Sequence, residues 1–409
     1  MKTTKKFLVG LLAALSVVSG SLAFASCGET DSSISDSSIA DSSISDSSVS
    51  DSLIEEGATE NLRYEKVADK EEYTVIGLGS ATDSDIVISS TYDGLPVTGV
   101  GANAFSDCLG VTSVTIPNSV TSLAYRSFYG CKNLTSVTIP DSVTSIAGSV
   151  FDRCESLTSV TIPDSVTAIS TSTFFACTSL TSVKLSNNLK SIAANLFNGC
   201  TKLTSVTIPD SVTSIGDNAF GYCGGLTSVT IPDTVKTIGY RAFYYCKNLT
   251  TVTIPEIVTS IGANAFSGCE SLQFKEYSGA KYLGSKTNDY FALIEMENKE
   301  LNSYTIHDDT KIIVNGVFSG FENLTSITIP ENVAFIGEGA FEYCPNLASV
   351  TISVGVTSIA KNAFCYCTNL NTITFNGTKA QWKAVKKVKT WNTNVPATKV
   401  VCSDGEVAL

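Results

Sequence analysis

The chain repeats itself every 23 residues, and this period limits the possible folds more than any other feature. One period, from Leu203 to Gly225, reads LTSVTIPDSVTSIGDNAFGYCGG. Self-similarity at a period of this length is typical of solenoids, in which each repeat forms one stacked turn. The cysteine position shows the period most plainly, and it is occupied by Cys108, Cys131, Cys154, Cys177, Cys200, Cys223, Cys246 and Cys269.

The spacing of apolar residues within a repeat predicts which side chains point inward. In Leu134–Ser156, Val137 and Ile139 alternate with polar residues, so they share one face of a short strand. Pro140 ends this strand because it has no N–H group for a ladder. Later apolar positions such as Phe151 also face inward. One repeat cannot enclose these side chains, whereas stacked repeats about 4.8 Å apart can.

The repeat resembles a known family. Its L-x-x-V-x-I element is similar to the strand of a leucine-rich repeat. The whole unit, continued by P-D-S-V-T-S-I-G-x-x-A-F-x-x-C, resembles the BspA-like leucine-rich repeats of bacterial surface proteins, over most of Tyr92 to Phe375. The resemblance implies an α/β repeat solenoid of leucine-rich-repeat type. Its parallel β-sheet is expected on the concave side, short helical or irregular segments on the convex side, and a cap at each end.

Breaks in the repeat and shifts in composition predict seven segments. They are a signal peptide (1–26), a Ser/Asp-rich disordered tether (27–57), an N-terminal β cap (58–98), a leucine-rich-repeat solenoid (99–272), a β-hairpin interruption (273–300), a second stretch of solenoid (301–375) and a C-terminal cap (376–409). The tether is serine with regularly spaced aspartate, which cannot bury enough apolar surface to fold. The interruption is one period plus six residues long and lacks the A-F and cysteine elements.

The N-terminal segment predicts export. Lysines, an apolar run and then small residues form a secretory signal. Ala23–Ala25 fits ordinary cleavage and a freely secreted protein, whereas Ala25-Ser26-Cys27-Gly28 resembles the end of a lipobox, in which Cys27 would carry a lipid. We favour lipid attachment at Cys27, because this cysteine lies outside the repeats and a solvated spacer follows it. The expected location is therefore the cell surface, with a membrane anchor through the lipid.

The composition offers little to an enzyme, a metal site or a nucleic-acid-binding protein. The formal net charge is −12, and there is no basic face for nucleic acid. The single histidine, His307, takes the place of a proline in a turn, where we expect solvent exposure. Neither an H-E-x-x-H nor a G-x-S-x-G motif occurs. The sequence therefore predicts a protein that is not an enzyme and has no catalytic residues, metal site or cofactor.

The cysteine ladder has two interpretations. In an exported protein, neighbouring rungs could form disulfides. Each cysteine, however, follows the A-F pair at one interior position, and Phe321 fills that position at one rung. A position that phenylalanine can occupy behaves as apolar filler, and buried free cysteine acts as a small hydrophobe. We therefore expect unpaired core thiols.

The outward positions of the repeats, and departures from the pattern, are the candidate binding residues. We expect a monomeric, non-catalytic adhesion protein that presents a leucine-rich-repeat surface to protein or glycan partners on host or neighbouring cells. A structural spacer without a ligand is the alternative, and ice binding by the threonine array is a more remote one. Tyr240 and Arg241 also depart from the pattern. The aromatic residues of the interruption either anchor a partner or pack on adjoining turns. The candidate face comprises Thr138, Thr161, Lys184, Thr207, Thr230, Tyr277, Tyr282, Tyr290 and Phe291.

Overall fold

The structure is a computed structural model that describes residues 54–409. The predicted signal peptide, Cys27 and residues 27–53 of the predicted tether lie outside the described residues. The described chain forms a parallel β-solenoid of about 14 turns, which confirms the leucine-rich-repeat type of fold.

Five strands precede the regular repeats: β1 (Arg63–Lys66), β2 (Tyr73–Gly77), β3 (Asp85–Val87), β4 (Thr91–Tyr92) and β5 (Leu95–Val100). Strand β1 pairs antiparallel with β2, and β2 pairs in parallel with β5. Strand β4 forms a short antiparallel pair with β5. The N-terminal region therefore changes from antiparallel to parallel pairing before the first regular turn.

Each regular repeat contributes up to two strands, a three-residue S-V-T strand and a two-residue S-I strand. Partners lie 23 residues apart in exact register, as in Thr207 with Thr230 and Ile215 with Ile238. We call the surface of the longer strands the strand side and that of the shorter ones the short-strand side. The strands are β6 (Ser113–Thr115), β7 (Ser122–Leu123), β8 (Ser136–Thr138), β9 (Ser145–Ile146), β10 (Ser159–Thr161), β11 (Ser182–Lys184), β12 (Ser191–Ile192), β13 (Ser205–Thr207), β14 (Ser214–Ile215), β15 (Ser228–Thr230), β16 (Thr237–Ile238) and β17 (Ser260–Ile261).

The A-F-x-x-C segment of each repeat forms a third side, the turn side, from consecutive β-turns. In one repeat the Gly221 N–H donates to Asn218 O (3.0 Å) within the turn, and the Phe220 N–H donates to Ala242 O (2.8 Å) in the next turn. Asn218 and Tyr222 adopt left-handed backbone angles, with φ of 52° and 58°. Backbone donors are thus satisfied alternately within and between turns, so no helix is needed. Short helical or irregular segments were expected on the convex side, and in this part of the chain the helical ones do not form.

The interruption, which we call the insert (residues 273–300), contains three strands: β18 (Lys275–Tyr277), β19 (Ala280–Leu283) and β20 (Ala292–Met296). Both neighbouring pairs are antiparallel. Ser278 and Gly279 join the first pair with φ of 51° and 73°, as a two-residue type I′ turn requires. A single hairpin was expected, whereas the structure has a three-stranded meander.

The chain after the insert returns to parallel rungs, with β20 pairing in parallel with the first of them. The remaining elements are β21 (Ile312–Ile313), β22 (Ser326–Ile329), β23 (Phe335–Ile336), β24 (Ser349–Ile352), β25 (Ser358–Ile359), β26 (Thr372–Phe375), α1 (Lys379–Ala384), β27 (Lys386–Lys387), β28 (Lys399–Cys402) and β29 (Gly405–Ala408). Thr378 and Gln381 form a capping box at the start of α1, the one α-helix of residues 54–409. Trp382 of this helix is buried on the last turn.

The apolar interior forms two clusters that meet at the insert. The first consists mainly of residues between Leu62 and Leu272, and the second extends from Ala280 to Cys402. Strand β20 contributes to both, because Ala292 and Ile294 belong to the first cluster and Leu293 to the second. The insert is therefore a part of the core and not an appendage on the surface.

A stack of phenylalanine rings runs through the first cluster. Neighbouring ring centroids are 5.2–5.6 Å apart and the planes differ by 2–18°, which is offset stacking. The stack contains Phe105, Phe128, Phe151, Phe174, Phe197, Phe220, Phe243 and Phe266. A second stack begins beyond the insert at Phe318 and continues through Phe341 to Phe364.

Candidate functional site

The cysteine ladder is buried and bonded to the backbone of the preceding turn. In nine of the rungs, the thiol donates to the carbonyl oxygen of the phenylalanine 26 residues earlier, with Sγ–O distances of 2.9–3.2 Å. The donors are Cys131, Cys154, Cys177, Cys200, Cys223, Cys246, Cys269, Cys344 and Cys367. The expected core thiols are confirmed for Cys154, Cys177, Cys200, Cys223, Cys246, Cys269, Cys344 and Cys367, which are free.

The rung at Phe321 is an exception in the cysteine ladder. The residue 26 positions earlier is Glu295 in strand β20, so the 26-residue spacing to a phenylalanine is lost after the insert. Phe321 instead packs against Phe318 and Tyr304, with ring centroids 5.4 and 5.5 Å away. The interpretation of the cysteine as simple filler was thus incomplete, because the thiol also satisfies a buried carbonyl.

Burial also makes the thiols in the middle of the ladder poor nucleophiles. Desolvation raises the pKa of Cys223 to about 12, and it raises the pKa of Cys177 and Cys200 well above the ordinary thiol value. Since the thiolate is the reactive form, the ladder is suited to structure and not to redox or covalent chemistry.

The strand side carries the threonine residues that the sequence singled out. Thr138, Thr161, Thr207 and Thr230 are exposed, and Thr207 lies opposite Thr230 in the ladder. Lys184 takes the threonine position opposite Thr161 and is also exposed. The structure therefore brings these five residues to one side of the solenoid, where they form a low, polar surface of short side chains.

The aromatic residues of the insert divide between core and surface. Tyr282 and Phe291 are buried, so these two candidates support the insert instead of facing a partner. Tyr290 stacks on His307 with ring centroids 3.7 Å apart, and Tyr277 meets the same imidazole edge-on at 4.8 Å. His307 was expected to be solvent-exposed, but it is only partly exposed because these rings enclose it.

The loop between β19 and β20 reaches back across two earlier turns. Ser285 and Thr287 donate hydrogen bonds to the carboxylate of Glu256, and Lys286 forms an ion pair with Asp233. Both members of that ion pair are exposed. These contacts hold the loop against the P-D and P-E turns of the preceding repeats.

The turn side presents exposed tyrosines that the sequence analysis did not group. We call them the tyrosine surface, which consists of Tyr222, Tyr240, Tyr245, Tyr343 and Tyr366. Between 37% and 54% of each residue is exposed. The Tyr222 and Tyr245 rings lie 5.6 Å apart, and the Tyr343 and Tyr366 rings stack at 4.6 Å with planes 2° apart. Aromatic side chains thus lie in solvent on successive turns.

Four of these tyrosines occupy strained backbone positions. Tyr222, Tyr245, Tyr343 and Tyr366 have φ between 56° and 60°. Left-handed angles cost a residue with a Cβ roughly 1 kcal/mol or more. Other repeats place glycine at the same position, where the conformation costs nothing: Gly130, Gly199, Gly268 and Gly320. Three further repeats have Asp107, Arg153 and Ala176 there with φ of 54–60°. The turn therefore accepts several residue types and does not itself require tyrosine.

Two arginines strengthen the aromatic character of the turn side. The pentapeptides YRSFY (125–129) and YRAFY (240–244) lie five periods apart. The Arg241 guanidinium lies 4.9 Å from the Tyr240 ring centroid and 4.5 Å from that of Tyr244. The Arg241 Nε is buried and has no hydrogen-bond partner in the described protein. Stacking on the rings therefore fixes this arginine in place.

A groove of about 730 Å³ lies where the short-strand side meets the turn side. It crosses successive turns at Ser214, Thr237, Ser260, Asn315 and Glu338, and so spans the junction of the two core clusters. The Asn315 N–H donates to Ile261 O (3.2 Å), which joins the turns directly at this corner. We call this 730 Å³ groove the junction groove.

Comparisons with known proteins establish the family. The model of the BspA type leucine rich repeat region matches residues 98–224, 213–287 and 295–399. This is more than half of the chain, so the protein belongs to the BspA type leucine-rich-repeat family, whose members are typically surface proteins. A search of curated proteins found no match. No helix of residues 54–409 is long and apolar enough to cross a membrane.

Solved structures with the same kind of repeat are similar over much of the chain. A leucine rich cell surface protein of Faecalibacterium prausnitzii is 27% identical over 80% of this chain and 97% of its own, with a TM-score of 0.41. The leucine-rich-repeat protein of T. pallidum is 28% identical over 52% and 88% of the two chains, with a TM-score of 0.39. One from Bacteroides ovatus is 24% identical over 81% and 90%, with a TM-score of 0.40.

A signal for the tyrosine surface was present in the sequence. Tyrosine precedes the ladder cysteine at Tyr222, Tyr245, Tyr343 and Tyr366, where other repeats have glycine, alanine, aspartate or arginine. Tyr240 and Arg241 depart from the pattern at other positions of the repeat, and the shared tyrosine shows only when the residues before the cysteines are aligned with one another.

Proposed function

We propose that this protein is a non-catalytic binding and adhesion module whose partner surface is the tyrosine surface. The observation that carries the proposal is exposed tyrosine in left-handed positions that glycine occupies at no cost in other repeats. Backbone strain retained at a surface position suggests a functional demand. Tyrosine and arginine are also the residue types most enriched in the energetic centres of protein interfaces.

The tyrosine surface suits a partner better than the strand side does. Its rings offer large, rigid contact area, and Arg241 is already ordered between Tyr240 and Tyr244. An ordered side chain loses little entropy on binding. The strand side offers mostly hydroxyl groups on short side chains, which provide little apolar area to bury. A spacer without a ligand would need none of these tyrosines.

Replacing the four strained tyrosines with glycine tests the proposal without unfolding the chain. Relief of backbone strain offsets the lost ring contacts, so we expect the free energy of unfolding to change by less than about 1 kcal/mol. We expect binding of the quadruple variant, Tyr222→Gly, Tyr245→Gly, Tyr343→Gly and Tyr366→Gly, to fall at least about tenfold, which is roughly 1.4 kcal/mol. The measurement is surface plasmon resonance against immobilised extracellular-matrix proteins and against surface proteins that cross-linking recovers from neighbouring cells.

The matched control changes the strand side. A variant with Thr161→Ala, Thr207→Ala and Thr230→Ala alters exposed residues of the face that the sequence analysis favoured. We expect this variant to bind like the unmodified protein. Loss of binding in the threonine variant and full binding in the tyrosine variant would assign the partner to the strand side and refute the proposed surface.

We further propose that Cys27 anchors the protein to the membrane through a lipid. The support is the Ala25-Ser26-Cys27-Gly28 sequence at the end of the apolar N-terminal run. A Cys27→Ser protein should leave the membrane fraction, and the intact mass of the native protein should show a lipid on an N-terminal Cys27. A mature chain that begins at Ser26 would contradict the anchor and indicate secretion.

A further inference from the structure

We propose that the junction groove is a binding site for a neutral oligosaccharide. The inference deepens the proposed binding function, on which it rests, by assigning a ligand class to a groove beside Tyr240. Nothing in the tyrosine-surface experiment depends on this groove, so the two proposals can fail separately.

The dimensions of the groove favour an extended ligand. Its lining comes from five successive turns, from Ser214 to Glu338. Four steps of about 4.8 Å between turns give a length of about 19 Å. The volume of about 730 Å³ lies within the range of ligand sites in proteins. A chain of several sugar rings fits this shape better than a compact small molecule.

Three glycines line the groove at the corner between the short-strand side and the turn side. A Cβ added at Gly262 would lie 2.3 Å from the Tyr240 nitrogen of the preceding turn. Gly216 and Gly239 approach their preceding turns in the same way, at 2.6 and 2.5 Å. Glycine is therefore required at this corner for adjacent turns to pack closely, and it leaves these lining positions without side chains.

The polar groups of the groove suit hydroxyl groups. Asp217 Oδ1 accepts the Tyr240 N–H at 2.7 Å, and Asn315 Oδ1 accepts the Glu338 N–H at 2.9 Å. These bonds hold both side chains in place. Within residues 54–409, Asp217 Oδ2 and Asn315 Nδ2 have no hydrogen-bond partner. A sugar hydroxyl both donates and accepts, so it can bond to the carboxylate and to the amide nitrogen.

The charge of the groove selects a neutral ligand over an anion. Asp217, Glu338 and Glu342 all line it. Lys361 lies 3.8 Å from Glu338, and the Arg241 guanidinium is engaged with Tyr240 and Tyr244. An anionic polymer would meet three carboxylates with few free cations, and like charges at close range are unfavourable.

The scarcity of apolar side chains disfavours a peptide. Tyr240 is the only aromatic residue among those that line the groove. Peptide and protein partners usually need buried apolar anchors, for which this lining offers little. One ring is enough for a sugar, because the C–H face of a pyranose can pack on an aromatic face while its hydroxyls bond to the polar rim.

Isothermal titration calorimetry of the purified protein tests the inference. The probes are cellohexaose, xylohexaose, mannohexaose, maltohexaose and chitohexaose, with heparin as the anionic arm and an unstructured Gly/Ser peptide as the peptide arm. We expect at least one neutral hexasaccharide to bind. Tyr240→Ala and Glu342→Gln should each weaken that binding at least about tenfold. Lys202→Ala changes an exposed residue outside both the groove and the tyrosine surface, and it should leave binding within about twofold.

Each contrary result overturns the inference. The groove is not a saccharide site if no hexasaccharide binds, if heparin or the peptide binds in its place, or if Tyr240→Ala and Glu342→Gln bind the hexasaccharide as the unmodified protein does. In that last case the protein would still bind the hexasaccharide, but at a site other than the junction groove. Thermal melting of each variant, expected to match that of the unmodified protein, separates lost binding from lost folding.

Discussion

The regular repeats and the insert solve the same packing problem in different ways. In the repeats, equivalent buried side chains lie one turn apart. Phenylalanine therefore stacks on phenylalanine, and the thiol of a turn bonds to the equivalent phenylalanine carbonyl of the turn before it. In the insert, strands β19 and β20 bury unlike residues, including Tyr282 and Leu293, whereas all of β18 is exposed. Only the repeats bury the same residue types turn after turn.

The difference shows that a side-chain ladder depends on the backbone beneath it. Cysteine bonds to a phenylalanine carbonyl of the preceding turn where regular repeats follow one another, as at Cys223 and Cys344. The first rung after the insert holds Phe321 instead. The interior therefore changes as soon as the backbone leaves the repeat, and it returns to the pattern one turn later.

The largest loss of stability is expected when one ring is removed from the phenylalanine stack. Phe220→Ala removes a fully buried ring that contacts Phe197 and Phe243 on its two faces. We expect the free energy of unfolding to fall by about 3–5 kcal/mol, as for other buried aromatic truncations. Urea denaturation measures it, with exposed Tyr222→Ala as the control. A loss as small as the control's would mean that the stack does not carry the stability of the repeats.

The next effect is a dependence of stability on pH. Burial raises the pKa of Cys223 to about 12 and that of Cys200 well above its usual value, so the unfolded thiols lose their protons first. The stabilisation is complete below about pH 8.5 and is lost as pH rises toward the folded values. For one such thiol, the loss of stability should approach about 1.4 kcal/mol per pH unit as the pH rises above about 8.5. Urea denaturation between about pH 8 and 10 should show stability falling increasingly steeply, and a flat profile would contradict this.

A smaller effect distinguishes a hydrogen-bonding thiol from apolar filler. Cys200→Ala removes both the volume and the bond to Phe174 O (3.1 Å), and should lower the free energy of unfolding by about 1–2 kcal/mol. Cys200→Ser keeps a donor for the same carbonyl and should lose less. The comparison uses the two midpoints of urea unfolding. An equal or larger loss in the serine variant would restore the filler interpretation.

The smallest effect is expected where the insert touches the surface of earlier turns. Lys286→Ala removes an ion pair with Asp233 in which both partners are exposed. Such pairs are worth little, so we expect a change within about 0.5 kcal/mol by urea denaturation. The buried residues of the insert, such as Tyr282, should carry its stability instead. A clear destabilisation by Lys286→Ala would show that surface charge holds the insert in place.

The sequence by itself determined the repeating part of the molecule. The 23-residue period, the alternation at Val137 and Ile139 and the stop at Pro140 are local signals, and they were enough to predict a stacked parallel solenoid with buried cysteine. They also located the interruption at residues 273–300. Periodic sequences are predictable in this way because every turn meets a copy of itself, so local and long-range contacts carry the same information.

The contacts between turns could be known only from the tertiary structure. The bond from each thiol to a carbonyl of the previous turn, the burial of Tyr282 and Phe291, and the enclosure of His307 all depend on contacts far apart in the chain. The turn side forms β-turns instead of helix because inter-turn acceptors satisfy half of its donors. The exposure of the tyrosine rings on the turn side appears only when that backbone is known, since the left-handed angle at this position sets where each side chain points.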